Sequence, residues 1–297
     1  IKILVLNLSL LFALQVGAQS SKTKKADQAF VAQEYHTAAE LYKKAYSKAK
    51  KNRALKAEIT FKQAECYRLS GNTKRAETYY KRALRTKNPY SAVISNLRYA
   101  EMLMQNAKYE DALVQYKKYA KMNPTDIKGE NGVKSCKLVM DWLANPTRYI
   151  VKSMPIVNSR YSDYSPAFGN KEYTELYFTS DRKGSSGTEI HGRTGASFSD
   201  IYKTRLDKKV RWRAPWSDMT NINTDGDEAT PYLNQRGTTM YFTKCKSEKK
   251  KQLGCDIYVS QRKGKEWAEP QKLQIKVDSG TTIGHPAVTD DENTIFF

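Results

Sequence analysis

The feature of this chain that most constrains its fold is internal repetition, which occurs twice and in two forms. From Ala26 to about Pro146 a helical unit recurs every 36 to 38 residues, and from about Tyr164 onward a β-rich unit recurs every 55 to 65 residues. Repeated modules build extended surfaces from many similar contacts rather than a single reactive pocket. The sequence therefore predicts two repeat domains and favours a binding role over an enzymatic one.

The helical repeats share a small and an aromatic residue, four positions apart, in segments that begin at Tyr35, Thr73 and Tyr109. The shared small residues are Ala38, Ala76 and Ala112, and the tyrosines that follow them are Tyr42, Tyr80 and Tyr116. A small side chain lets a paired helix approach closely, and an aromatic ring one turn later fills the gap beyond it. Pro89 and Pro124 close the second and third pairs, because a helix interior does not tolerate proline. The pattern predicts three helix pairs.

A last helix over Val133–Leu143 is expected to cover the open end of this stack. After Asn145 and Pro146 the composition shifts from Lys-rich helix to Tyr, Ser, Thr and Gly with short β-runs. We therefore expect a helical domain at residues 19–150 and a β-domain at residues 151–297.

Three segments of the β-domain each place a proline shortly before a strongly apolar strand. The prolines are Pro166, Pro231 and Pro286, and the apolar strands begin at Glu175, Thr239 and Asn293. Asp-Ile-Tyr recurs at Asp200 and Asp256, and Trp-x-x-Pro recurs at Trp212 and Trp267. Units of about four short strands are typical of β-propeller blades, which close as rings of about four to eight. Two units and part of a third predict an incomplete propeller in a fragment of a longer protein; an open stack of sheets, or a ring completed by a partner, is the alternative.

The first 18 residues have the pattern of a secretory signal peptide. Lys2 precedes an apolar run over Ile3–Leu14, and a cleavage site with small residues ends at Ala18, which would leave Gln19 first. The run is shorter than the roughly 20 residues of a membrane span, although a retained anchor is the alternative. No cysteine precedes Cys66, so lipid attachment at the leader is not expected. We expect export to the periplasm, in association with the outer membrane.

The chain is strongly basic, with 51 Lys and Arg against 31 Asp and Glu and a formal net charge of +20. Such a balance favours polyanionic partners. No basic stretch is interleaved with aromatic residues as in nucleic-acid-binding segments, so nucleic acid is not an expected partner. After export the available anions are lipid head groups, lipopolysaccharide, acidic glycans and acidic proteins; simple solvation of Lys-rich helices is the alternative.

The four cysteines predict a disulfide rather than a metal site, because an exported protein meets an oxidising compartment. Cys245 and Cys255 flank a polar loop between strands predicted at 239–244 and 256–260, and are the disulfide candidate. Cys66 and Cys136 lie on predicted helices and are either two buried thiols or a second bridge.

No residue is predicted to be catalytic, to bind a cofactor or to ligate a metal. The three histidines, His36, His191 and His285, stand in unrelated contexts without metal-ligand spacing. Nucleophile, phosphate-loop and dinucleotide motifs are missing from the sequence. The acidic loop 223–228 is interpreted as a turn into a strand rather than a calcium loop, since it lacks the twelve-residue layout.

The helical segments resemble the tetratricopeptide repeat, and the string from Ser165 to Arg182 resembles the TolB-type propeller repeat. The resemblance implies an α+β multidomain protein with an all-α tetratricopeptide-repeat solenoid, whose concave groove binds a protein partner, followed by all-β propeller blades. A helical spacer without a ligand is the alternative for the first part.

This domain order is similar to that of exported OmpA-family proteins of Bacteroidetes, which include components of the type IX secretion machinery. The resemblance implies a non-enzymatic periplasmic scaffold that contacts protein partners, and peptidoglycan through a C-terminal domain absent from these residues. The alternatives are an exported hydrolase, whose Gly-x-Ser-x-Gly motif would follow Phe297, and a TolB-like accessory to envelope transport that uses the propeller alone.

Overall fold

A computed structural model describes residues 21–86, 92–248, 251–278 and 280–297 of the chain. These residues form two units, which divide between Arg148 and Tyr149. The first unit is helical and the second consists of antiparallel sheets, so the predicted order of helices followed by sheets is confirmed. The predicted leader, its cleavage site, Pro89 and Lys249–Lys250 lie outside the described residues.

The described residues of the helical unit form seven α-helices. They are α1 (Lys24–Val31), α2 (Tyr35–Lys48), α3 (Arg53–Leu69), α4 (Thr73–Arg85), α5 (Ala92–Gln105), α6 (Tyr109–Met122) and α7 (Ile127–Ala144). Each helix packs on its neighbours in sequence, and α5 also contacts α7. Lys62 of α3 bonds to Asp27 of α1, whereas Arg82 of α4 lies over the ring of Tyr46 of α2. The odd-numbered helices therefore form one layer, the odd layer, and α2, α4 and α6 form the even layer.

The alanines and tyrosines that repeat in the sequence form the contacts between helices. Ala38, Ala76 and Ala112 are completely buried, and Tyr42, Tyr80 and Tyr116 are buried beside them in one continuous core. Burial of one large apolar side chain stabilises a fold by roughly 1.5–3 kcal/mol. The helical unit is thus tetratricopeptide-like, with three antiparallel pairs, α1–α2, α3–α4 and α5–α6, followed by α7.

Helix α7 begins six residues earlier than the predicted Val133–Leu143. Asp126 caps it by accepting a hydrogen bond from the Lys128 amide at 3.0 Å. The added turns contain Gly129 and Gly132, which weaken a helical pattern in sequence. Both glycines face α6, where a side chain would not fit: a Cβ at position 132 would lie 2.2 Å from the Tyr116 ring. Close packing therefore explains residues that sequence propensity alone excludes from a helix.

The β unit contains ten strands among its described residues. They are β1 (Asp163–Phe168), β2 (Glu175–Ser180), β3 (Asp200–Arg205), β4 (Asp227–Leu233), β5 (Thr239–Glu248), β6 (Lys251–Lys263), β7 (Glu266–Trp267), β8 (Gln271–Lys272), β9 (Ala287–Val288) and β10 (Ile295–Phe296). The sheets have the order β1-β2-β3, β4-β5-β6-β7 with β8 paired to β6, and β9-β10, all antiparallel. The first two sheets share a core that includes Tyr177, Phe242 and Trp267. The described residues do not form a closed propeller.

The hairpin between β5 and β6 is longer than its sequence predicts. The strands were expected to end at Lys244 and to resume at Asp256, but the ladder continues to the pair Glu248 and Lys251. Backbone pairing therefore extends into a Lys-rich stretch whose composition favours a loop. Cys245 and Cys255 lie directly opposite each other in this ladder and form a disulfide with an S–S distance of 2.05 Å.

The three β-repeats share a backbone irregularity as well as a proline. The residue before each proline, Ser165, Thr230 or His285, has a positive φ of 50°, 52° or 57°. The pairing register shifts at this point in the first two sheets, between Tyr164 and Ala167 and between Ala229 and Tyr232. A left-handed conformation is costly for a β-branched residue such as threonine. Its recurrence means that the surrounding contacts impose it in each copy.

Candidate protein-interaction surface of the helical repeats

The buried tyrosines of the even layer reach carboxylates of the odd layer that lie 15 residues earlier in the chain. The Tyr42 hydroxyl donates to Asp27 at 2.5 Å, and the Tyr80 hydroxyl donates to Glu65. In the third pair Glu101 lies close enough to Tyr116 for its charge to add to burial, which raises the pKa of that tyrosine to about 12. Each repeat thus places one acid against the aromatic ring that holds its two helices together.

Each of these acids also contacts a basic side chain on the odd layer. Lys62 lies 2.7 Å from Asp27, Arg68 lies 2.6 Å from Glu65 and Arg98 lies 2.8 Å from Glu101. The side chains are partly exposed, from 12% for Asp27 to 32% for Lys62. Charged groups held by several partners lose little further side-chain entropy on binding, which favours affinity. The odd layer therefore presents a preorganised row of alternating charges.

The first half of α5 contains polar groups without an internal partner. Ser95 Oγ, Asn96 Oδ1 and Arg98 Nε are buried and have no hydrogen bond among the described residues. An unsatisfied buried polar atom costs about 1–3 kcal/mol, so α5 is the least satisfied part of the odd layer.

The acids of the β unit are mostly engaged in structure. Thr224 donates from its amide and its hydroxyl to Glu228, at 2.8 and 2.5 Å, and Lys244 lies 3.4 Å from the same carboxylate. The loop 223–228 is therefore a turn closed on Glu228. His191 lies 3.6 Å from Asp227, which also accepts from the Ser199 amide. In the described part of the chain no three His, Cys, Asp or Glu side chains are grouped to hold a metal ion.

Asp200 and Asp256 occupy the same position of the β-repeat but differ in how their charge is compensated. Asp256 pairs with Lys272 at 2.7 Å. Asp200 is completely buried, and Ser186 donates to its Oδ2 from both amide and hydroxyl while Oδ1 has no partner. Burial, with the nearby charge of Glu228, raises the pKa of Asp200 to about 6. Sequence identity at this position did not predict identical chemistry.

Successive sheets are joined through a threonine in the second strand of a repeat, Thr179 in β2 and Thr243 in β5. The Thr230 amide donates to Thr179 Oγ1, and the His285 amide donates to Thr243 Oγ1, both at 2.8 Å. The donor in each case is the residue with positive φ before proline. This amide–threonine contact accompanies the unusual backbone conformation in the second and third copies.

The outer edge of the first sheet carries a shallow pocket of about 580 Å³ that is lined by arginine and tryptophan, including Arg205, Arg213, Trp212 and Trp216. Trp212 is half-buried there, whereas its counterpart Trp267 is only 4% exposed because it packs against Tyr177 of the sheet before it. The tryptophan at the edge of the first sheet is therefore less covered than its counterpart within the described residues.

The two remaining cysteines are separate thiols. Cys66 and Cys136 are both buried, and each is free. Burial raises the pKa of Cys66 to about 12, so its thiolate is not available as a nucleophile at neutral pH. Of the two alternatives left by the sequence, two buried thiols are present and a second bridge is absent.

No helix among the described residues is both long and apolar enough to cross a membrane. No protein-family model matches the chain. No curated protein has a significantly similar sequence.

Two solved structures share part of the helical fold. The Hsp90 co-chaperone Cns1 from Saccharomyces cerevisiae is 18% identical over 41% of this chain and 39% of its own length, with a TM-score of 0.37. The Sgt2 TPR domain from Aspergillus fumigatus is 19% identical over 44% of this chain and 84% of its own length, with a TM-score of 0.35. This chain therefore spans well under half of Cns1. Similarities at this level carry no information on what the chain binds.

Proposed function

We propose that this protein is a non-enzymatic periplasmic scaffold that links an outer-membrane complex, of the type IX secretion or gliding kind, to the cell envelope. The helical unit holds one protein partner and the β unit holds another. Peptidoglycan is held by an OmpA-like domain outside these residues. The domain order favours the OmpA-family group that includes PorE of the type IX secretion system.

The observation that carries the proposal is the repeated, partly exposed row of acid–base pairs on the odd layer. The first two pairs are held from behind by hydrogen bonds from the buried Tyr42 and Tyr80, so their positions do not depend on a ligand. Such a surface recognises an extended chain by alternating charge and hydrogen bonds.

An exchange of charge within one pair tests the proposal without breaking the pair. Arg98→Glu combined with Glu101→Arg keeps an ion pair on α5 but reverses the positions of the positive and negative charges that face a partner. The matched control exchanges Asp207 and Arg211, an exposed pair of the β unit at 2.9 Å. Full-length protein and both variants, tagged and cross-linked in intact cells, would be compared for captured envelope proteins by mass spectrometry.

We expect the α5 exchange to lose at least one envelope protein that the β-unit exchange retains. Identical captured sets from all three proteins would contradict a binding role for the odd layer. Cell fractionation tests the location separately, since recovery of the protein in the cytoplasm would reject the periplasmic scaffold. Labelling of the full-length protein by a fluorophosphonate probe would instead support the exported-hydrolase alternative.

A further inference from the structure

The even layer carries a second charged feature, on which the scaffold proposal does not depend. Each even helix has two adjacent basic residues directly after its buried tyrosine. They are Lys43 and Lys44 on α2, Lys81 and Arg82 on α4, and Lys117 and Lys118 on α6, together called the basic stripe. All six side chains are exposed, and none has an ion pair among the described residues. No carboxylate therefore neutralises the positive charge of the stripe among the described residues.

The acids of the even helices do not neutralise the basic stripe. Glu77 accepts from Lys108 at 2.6 Å and from Asn106 at 2.8 Å, so it is engaged with the turn before α6. Glu110 and Asp111 lie in the first turn of α6, two turns from its basic pair. Glu40 is half-buried on α2. Acids and bases are paired with each other on the odd layer, whereas the basic stripe of the even layer has no acid paired with it among the described residues.

The helix dipole does not explain the basic stripe either. Cations in the last turn of a helix interact favourably with its carboxyl end, and this effect falls off within one turn. Lys48, Arg82, Arg85 and Lys121 occupy those last turns. The five lysines of the stripe lie about one turn earlier, and all six stripe residues occupy the same two positions of their helices. Some other role therefore accounts for their repetition.

The three pairs occupy equivalent positions on successive even helices. The guanidinium of Arg82 lies 4.9 Å from the ring centroid of Tyr79 on its own helix and 6.0 Å from that of Tyr46 on α2. This contact connects α4 to α2. The pair on α6 lies at the same two helix positions, so the stripe follows the even helices in order.

We propose that the basic stripe docks this protein on an anionic lipid surface. Five of its six residues are lysines, whose flexible point charges suit mobile head groups better than the fixed geometry that arginine selects. On α6 two exposed apolar side chains, Val114 at 59% and Met122 at 43%, lie beside the basic pair. Apolar side chains among exposed cations are typical of helices that lie on membranes. The occupant is therefore a lipid head-group layer rather than an acidic protein.

The test is binding of the full chain to vesicles of phosphatidylcholine with and without phosphatidylglycerol, measured by co-sedimentation. The stripe variant carries Lys43→Glu, Lys81→Glu and Lys117→Glu. The matched control carries Lys128→Glu, Lys134→Glu and Lys137→Glu, three exposed lysines of α7, and changes the net charge equally. A second stripe variant replaces its three lysines with glutamine, in case charge reversal prevents folding.

We expect the parent chain to bind only the vesicles that contain phosphatidylglycerol, and less strongly as salt is raised. The glutamine variant, which removes three cations, should bind roughly a hundredfold more weakly, because each cation near an anionic membrane contributes a factor of about five. The stripe variant, which reverses the same three charges, should bind more weakly still, and the α7 control should stay within about twofold of the parent.

Equal losses in the stripe variant and the α7 control would overturn the proposal, since net charge alone would then explain binding. Failure of the parent chain to bind phosphatidylglycerol vesicles would also overturn it. So would binding to poly-glutamate without binding to vesicles, which would assign the stripe to acidic proteins. Loss of envelope partners after the exchange on α5 is measured separately, so the two proposals can fail independently.

Discussion

Replacement of Gly132 by alanine tests how α7 is held on α6. The new Cβ would lie 2.2 Å from Cδ1 and 2.4 Å from Cε1 of Tyr116, whereas carbon atoms at rest are about 3.5–4.0 Å apart. Overpacking of a core costs roughly 1–3 kcal/mol, and glycine to alanine in a helix interior returns about 1 kcal/mol. Because the ring is buried and the overlap exceeds 1 Å, we place the cost at the top of its range. The free energy of unfolding of the helical unit should fall by about 2 kcal/mol.

Urea denaturation followed by helical circular dichroism measures this loss. Ser135→Ala, at an exposed position of the same helix, is the control and should change stability by no more than about 0.5 kcal/mol. Tyr116→Leu removes the ring that the new Cβ would overlap. Gly132→Ala should therefore cost less stability in a Tyr116→Leu background than in the parent, which a double-mutant cycle would measure as a favourable coupling. A Gly132→Ala protein as stable as the parent would refute the packing argument, because helix propensity would then have decided the outcome.

Three further predictions concern the β unit. Thr179→Val removes the acceptor of the Thr230 amide and should cost about 1–3 kcal/mol in denaturant unfolding; an unchanged midpoint would show that the contact between sheets is unimportant. The pKa of Asp200 is raised from 3.8 to about 6 in the folded state, so the folded state binds the proton more tightly and its stability falls as pH rises through this window. Asp200→Asn should remove that pH dependence, and its free energy of unfolding should exceed that of the parent by up to about 3 kcal/mol at neutral pH. Parallel stability–pH curves for the variant and the parent would contradict this. Replacing both Cys245 and Cys255 by serine should lower stability by roughly 2–3 kcal/mol, and a midpoint unaffected by the double substitution or by reductant would refute it.

The sequence predicts the even helices closely because side-chain periodicity and helix starts coincide there. The three aligned segments begin at Tyr35, Thr73 and Tyr109, and these residues begin α2, α4 and α6. Strand β1 likewise covers the predicted segment from Asp163 to Phe168. In these places local preference and tertiary packing favour the same structure, and prediction from sequence is reliable under that condition.

Prediction fails where a contact distant in sequence overrides local preference. The start of α7 depends on close packing of Gly132 against the Tyr116 ring. The extended β5–β6 ladder depends on strand pairing rather than on composition. The acids beside the repeated tyrosines could have been found, since Asp27, Glu65 and Glu101 all lie 15 residues before them. The unpaired atoms of α5 could not have been found from the sequence, because their burial depends on how closely the neighbouring helices pack.

The contact between successive sheets runs through a main-chain amide, and this has an evolutionary consequence. The residue that donates is threonine in one copy and histidine in the next, while the accepting threonine is the same in both. Every residue except proline supplies the same donor, so mutational drift at the donor position leaves the joint intact. Individual copies are thereby free to specialise their exposed side chains while the array still assembles.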